Sequence, residues 1–123
     1  MAKKALLDAD IKLGEKILAS LDAAKYPVTA AIWTLTENFD GWQLIIGTPL
    51  YDKGTAEAHG KLIKALRKDD PESLDSQEVR LMKNSSPFIR ELRRQYPKAK
   101  AGTRVSGYLG GMWLDDGVVY RIK

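Results

Sequence analysis

VTAAIWTLTENFDGWQLIIGTPL, residues Val28 to Leu50, is the stretch whose reading decides the fold. Val28 to Thr36 is dense in β-branched and aromatic residues, Trp42 to Thr48 is dense in them again, and Asn38, Asp40 and Gly41 supply turn chemistry between the two. The pattern predicts a β-hairpin. Neither half alternates polar with apolar residues, so both strands carry apolar side chains on both faces, as strands inside a sheet do when something covers each side. An even-length loop places Trp33 and Trp42 on one sheet face, where a packed aromatic pair is the ordinary outcome. The amphipathic stretches before and after the hairpin are the natural covers.

On the N-terminal side a first helix is predicted to start at Asp8 or Asp10 as N-cap and to run to about Ala24, ahead of Tyr26-Pro27. Its apolar residues, from Leu7 and Ile11 through Gly14 and Ile17 to Leu21 and Ala24, occupy roughly 160° of a helical wheel, wider than the ~100° that one contact surface requires. The helix is therefore expected to touch the sheet and something else, either more of its own core or a second copy of the chain.

On the C-terminal side Pro49 cannot donate to a ladder, and Asp52-Lys53-Gly54 reads as a loop leading to Thr55, the expected cap of a second helix over Ala56 to Lys68. His59 falls at the centre of that helix's apolar arc, with Ala56, Leu62, Ile63 and Leu66. It is the single histidine in a chain without cysteine, so nothing of its own type shares a metal with it, and it reads as a packed structural residue. Asp69 to Asp75 is acidic and broken by Pro71. It lacks the alternating ligands, central Gly and distal Glu of a calcium loop and reads as solvated. Glu78 to Lys83 alternates as a strand, Val79 and Leu81 to one face, Arg80 and Met82 to the other.

Asn84-Ser85-Ser86-Pro87 is the strongest capping signal, with Ser85 or Ser86 as N-cap and Pro87 in the first turn of a third helix that runs to about Tyr96. Phe88, Ile89, Leu92 and Tyr96 share one side of it, while Arg90, Arg93 and Arg94 lie on the other and are expected to point to solvent. After Pro97 and a cationic connector, the tail reads as strands over Arg104 to Leu109, Met112 to Leu114 and Val118 to Ile122. Gly110-Gly111 and Asp115-Asp116-Gly117 are the expected turns. Either a three-stranded meander or one long hairpin with a bulge at the glycines satisfies that pattern. Residues 1 to 123 thus read as a single α+β domain in the order α-β-β-α-β-α-β-β(-β). Its sheet is antiparallel or mixed, with helices mainly on one face.

A chain of 123 residues with 44% apolar and 29% charged residues has the composition of a folded domain. The absence of cysteine removes disulfides, thiolate nucleophiles and thiolate-bound zinc, and agrees with a cytoplasmic setting. Asp8 and Asp10 interrupt the basic N-terminal stretch before it resembles an export signal, and no run approaches the ~18 apolar residues of a membrane span.

Charge is unevenly distributed. Residues 1 to 75 hold ten Lys/Arg against twelve Asp/Glu, whereas residues 76 to 123 hold ten against four. Arg80, Lys83, Arg90, Arg93, Arg94, Lys98, Lys100 and Arg104 face only Glu91, and arginine suits the forked geometry of phosphate and carboxylate. With the free N–H groups expected at Ser85 and Ser86, this segment is the candidate binding face for an anion. Trp33, Trp42, Trp113 and Tyr108 would add stacking surfaces if exposed. Catalytic signatures are missing: Ser106-Gly107 lacks the setting of a nucleophile elbow, Asp115-Asp116 reads as turn chemistry, and Gly107, Gly110 and Gly111 precede no helix. No pattern asks for a cofactor. The expectation is a small non-enzymatic interaction module that docks an acidic protein, or a second copy of itself, through its basic face. Nucleic-acid or phosphate binding by Arg80 to Arg104 is the alternative, and a small-ligand binder or enzyme built around His59 is the third reading.

Overall fold

A computed structural model of the chain describes residues 8–36, 41–69 and 79–123. Four helices and five strands follow in the order α1 (Asp8–Ala23), β1 (Ala30–Leu35), β2 (Trp42–Thr48), α2 (Pro49–Lys53), α3 (Thr55–Asp69), β3 (Val79–Lys83), α4 (Pro87–Gln95), β4 (Arg104–Leu109) and β5 (Met112–Ile122). The strands form one mixed sheet in the order β3-β2-β1-β5-β4. Only β2 and β3 run parallel, and α2 with α3 supplies the crossover that a parallel pair needs. The loop positions Asn38 and Asp40, Glu78, Leu7 and nearly all of the acidic segment after Asp69 lie outside the described residues.

The opening hairpin is the centre of this sheet. β1 and β2 pair antiparallel from Ala30 with Gly47 to Leu35 with Trp42, and every residue of β1 is buried. Alternation along the strands feeds two separate cores. Ala31, Trp33, Leu44 and Ile46 join Ile17 and Leu21 of α1 and Ala58 and Leu62 of α3 on one face. Ala30, Ile32 and Ile45 join Phe88, Ile89 and Leu92 of α4 on the other. Val79 and Leu81 pack toward the first core and Met82 toward the second, as the alternation of β3 predicts. A large aliphatic or aromatic side chain moved from water to such a position contributes about 1.5–3 kcal/mol, so this double-sided strand pair accounts for much of the folding drive. Among the described residues, α1, α2 and α3 lie on one face of the sheet and α4 on the other.

Helix α1 ends in a Schellman motif. Tyr26 N–H reaches the Leu21 carbonyl at 2.9 Å, Lys25 N–H reaches that of Asp22 at 3.0 Å, and Lys25 takes the left-handed conformation with φ 59°. Tyr26 and Leu21 are both buried in the same core, and the Tyr26 hydroxyl donates to the Ala58 carbonyl of α3 at 3.0 Å. The wide apolar stripe of α1 is thereby explained: one flank meets the sheet and the other meets α3. At Gly14 the helix lies on the sheet so closely that an added Cβ would stand 2.3 Å from the Tyr120 hydroxyl. That hydroxyl accepts from Trp33 Nε1 at 2.9 Å and donates to the Ile11 carbonyl at 2.6 Å, joining β1, β5 and α1 at one atom.

Three local expectations are corrected. Asp52-Lys53-Gly54 closes the short helix α2, which Thr48 caps by accepting from Leu50 N–H at 3.2 Å and which Pro49 begins. α3 is rotated relative to its predicted arc: Ala58, Leu62, Ala65 and Leu66 face inward, whereas His59 is exposed and Ile63 is 41% exposed. Small alanines let the helix approach its neighbours, and that outweighs the larger side chains on a wheel. Finally, Asp115-Asp116-Gly117 makes no turn. β4 and β5 are one long hairpin closed at Gly110-Gly111, and the register shifts so that Asp115 and Asp116 bulge from β5 opposite Ser106.

Candidate anion-binding face of helix α4

Ser86 is the N-cap of α4, its hydroxyl accepting from Ile89 N–H, and Pro87 follows in the first turn. The buried side of the helix, Phe88, Ile89 and Leu92, is set on the sheet, with Ile89 lying over Gly47. Its other side is then forced outward. A groove of about 500 Å³ opens there, lined by Pro87, Arg90, Glu91, Arg93, Arg94 and Gly110. Gly110 belongs to it because the tip of the β4–β5 hairpin rests against the start of the helix: with φ +53°, a Cβ on Gly110 would lie 2.3 Å from the Pro87 carbonyl carbon.

The three arginines have different duties. Arg90 is exposed and its guanidinium has no partner among the described residues. Arg94 is exposed and paired with Glu91, which also accepts from Gln95 Nε2 at 2.8 Å. The Arg94 hydrogen bond pulls the Glu91 carboxyl down to about 2, and Glu91 in turn raises Arg94. Arg93 departs from the predicted solvent orientation. It is half-buried, with Nε donating to the Lys123 carbonyl and Nη2 to Asn84 Oδ1, both at 2.6 Å, while Asn84 also meets the Thr29 hydroxyl at 2.8 Å. Arg93 therefore fixes the helix against the strand ends and lends the groove its charge from a held position.

The turn before α4 binds an anion of the chain's own. Asp52 of α2 accepts from Asn84 N–H at 2.6 Å and from Ser85 N–H at 3.2 Å. The Ser85 side chain is the largest cause of the lowered pKa of that carboxyl, followed by the two backbone donors, with Lys83 adding a favourable charge. The free donors expected at Ser85 and Ser86 are thus taken up within the protein by Asp52 and by the cap of α4.

The remaining cations do not converge on the groove. Arg80 lies on edge strand β3, and Lys83 ends that strand beside Asp52. Lys98 and Lys100 are exposed in the connector after α4. Arg104 projects from β4 on the sheet face opposite α4 and pairs with Asp116 at 2.8 Å. Of the candidate stacking rings, Trp33 is buried and Trp42 partly so, but Tyr108 and Trp113 are 66% and 52% exposed. His59 spends Nδ1 on the Thr55 carbonyl at 2.8 Å and meets the Tyr51 ring edge-on. Among the described residues no three His, Asp or Glu side chains are grouped to hold a metal, and no helix is long and apolar enough to cross a membrane. No protein-family model, curated protein or solved structure matches the chain.

Proposed function

We propose that the protein acts by binding rather than by chemistry, and that an anionic partner docks in the arginine groove of α4. The observation that carries this reading is Arg90: a guanidinium with no partner among the described residues, on the rim of a groove in which Arg93 is already held in place by Asn84 and the Lys123 carbonyl. A pre-positioned cation loses little side-chain entropy on meeting a phosphate or carboxylate, and a free neighbour supplies the new charge-assisted hydrogen bonds. The groove opens to solvent along the exposed side of α4. A cytoplasmic setting suits a chain without cysteines.

The test is a salt titration of binding to a fluorescent polyphosphate, followed by anisotropy, for the native protein beside R90E/R94E. Arg93 is kept because its removal would unseat the helix. The native protein is expected to bind with an affinity that falls steeply with salt, and the variant to lose at least roughly tenfold with a shallower slope, about one unit less for each contact removed. Equal binding by both proteins, or no binding by the native one at 50 mM salt, overturns the proposal.

A further inference from the structure

Tyr108 and Trp113 face one another directly across the β4–β5 hairpin, and both project from the sheet face opposite α4. The helices that cover this face elsewhere reach β5 only as far as Val118 and Tyr120, leaving the two rings outside the core. Trp113 is not merely loose. Its Nε1–H donates to Asp115 Oδ1 at 2.9 Å, an acceptor two residues along the same strand, which satisfies the polar edge of the indole while half of the side chain stays exposed. The neighbouring acidic groups are likewise engaged, Asp115 with that indole and Asp116 with Arg104 and the Gly117 N–H. What the surface offers a ligand is two exposed aromatic rings at cross-strand distance.

These rings and the arginine groove meet at one place. Gly110 lines the groove, and only Leu109 on one strand and Gly111 with Met112 on the other separate the Gly110 position from Tyr108 and Trp113. Cations thus sit on one side of a hairpin tip and stacking faces on the other. A ligand that carries phosphates and flat rings in alternation fits both surfaces. A duplex keeps its base faces stacked inside and offers nothing to Tyr108 or Trp113, whereas an unpaired strand has both its backbone charge and its base faces available.

We infer that Tyr108 and Trp113 form a stacking platform for unpaired bases, so that the anion bound at α4 is the backbone of single-stranded nucleic acid turning around the Gly110-Gly111 tip. This builds on the anion-binding reading of α4 and adds the class of ligand.

The experiment compares the native protein, Y108A/W113A and R90E/R94E in binding to three probes at 100 mM salt. The probes are a mixed-sequence single-stranded 12-mer, its blunt duplex and polyphosphate. Both altered rings are exposed, and a thermal-unfolding midpoint within a few degrees of native checks that the fold is kept. The expected result is preference for the single strand over the duplex, quenching of tryptophan emission on binding, and a loss of roughly 10- to 100-fold for the single strand in Y108A/W113A with polyphosphate affinity retained. Equal affinity of native protein and Y108A/W113A for the single strand, or equal binding of single strand and duplex, overturns the inference while polyphosphate binding lost in R90E/R94E leaves the α4 reading standing. Binding of none of the probes by the native protein overturns both. A doubling of mass that disappears in Y108A/W113A, without oligonucleotide binding, also overturns it and assigns the rings to a second copy of the chain.

Discussion

Gly14 shows how far a single missing methyl group determines the packing of α1. Exchanging an exposed helical glycine for alanine ordinarily stabilises a protein by about 1 kcal/mol. Here the sign reverses, because the new Cβ would enter the space of the Tyr120 hydroxyl and stand 2.7 Å from Trp33 Nε1. G14A is expected to destabilise the fold by about 1–3 kcal/mol, read as a lower denaturant midpoint with unchanged slope. A stabilised G14A protein would contradict the packing described. The sequence places Gly14 on the inward stripe, but the reason for glycine there depends on a tyrosine at the far end of the chain, and no local pattern contains that information. His59 shows the same limit. A wheel weights its neighbours by size, and the helix is oriented by two small residues, Ala58 and Ala65, that a size-weighted wheel passes over.

At the scale of elements, the extent of α4 was legible because its signals lie in it or directly beside it: a Ser-Pro start, one compact apolar side and a proline just beyond its end. α2 uses the same chemistry in Thr48-Pro49, yet five residues are too few to show a period, so only its cap could have announced it. The arginine side of α4 was legible as charge but not as mechanism, since Arg93 is committed to Asn84 and the Lys123 carbonyl by contacts distant in sequence. If the groove takes an anion as proposed, the Glu91–Arg94 pair opposes it by occupying one guanidinium. E91Q is expected to free Arg94 and tighten polyphosphate binding by roughly two- to fivefold, with little change in stability because the pair is exposed. Isothermal titration at low salt measures this, and weaker binding by E91Q would show that Glu91 orients Arg94 for the ligand.

Across the whole molecule, two carboxylates tie distant segments together. Asp22 of α1 pairs with Arg121 of β5 at 2.7 Å, and Asp52 of α2 holds the turn before α4. Hydrogen bonds to Arg121 and to Ser85, respectively, are the leading causes that lower their pKa values from 3.8. A carboxyl whose folded pKa is depressed contributes its stability in full above the unfolded value and loses it as pH falls through the folded one. Unfolding midpoints should therefore hold level from pH 7 to about pH 5 and fall below about pH 4. D22N and D52N should be less stable than the native protein near neutrality and should show a flatter acid limb. A parallel acid limb in both variants would remove these two groups as its cause. At this scale the sequence is least informative. The α+β class follows from local patterns, but strand order β3-β2-β1-β5-β4 is a set of pairings between segments far apart, and charge counting gathers eight cations that the topology then distributes over two faces and both edges.

The central position of β1 also sets a schedule for the nascent chain. Its two neighbours are β2, made directly after it, and β5, made last among the described strands. At about 5–20 residues added per second, the interval between completing Leu35 and beginning Met112 is roughly 4–15 s. Throughout that interval β1 has an open edge, and until α4 is made the second face of the hairpin has no cover. The yield of folded protein in a cell should therefore depend on what shields β1 during synthesis as well as on the stability of the finished domain.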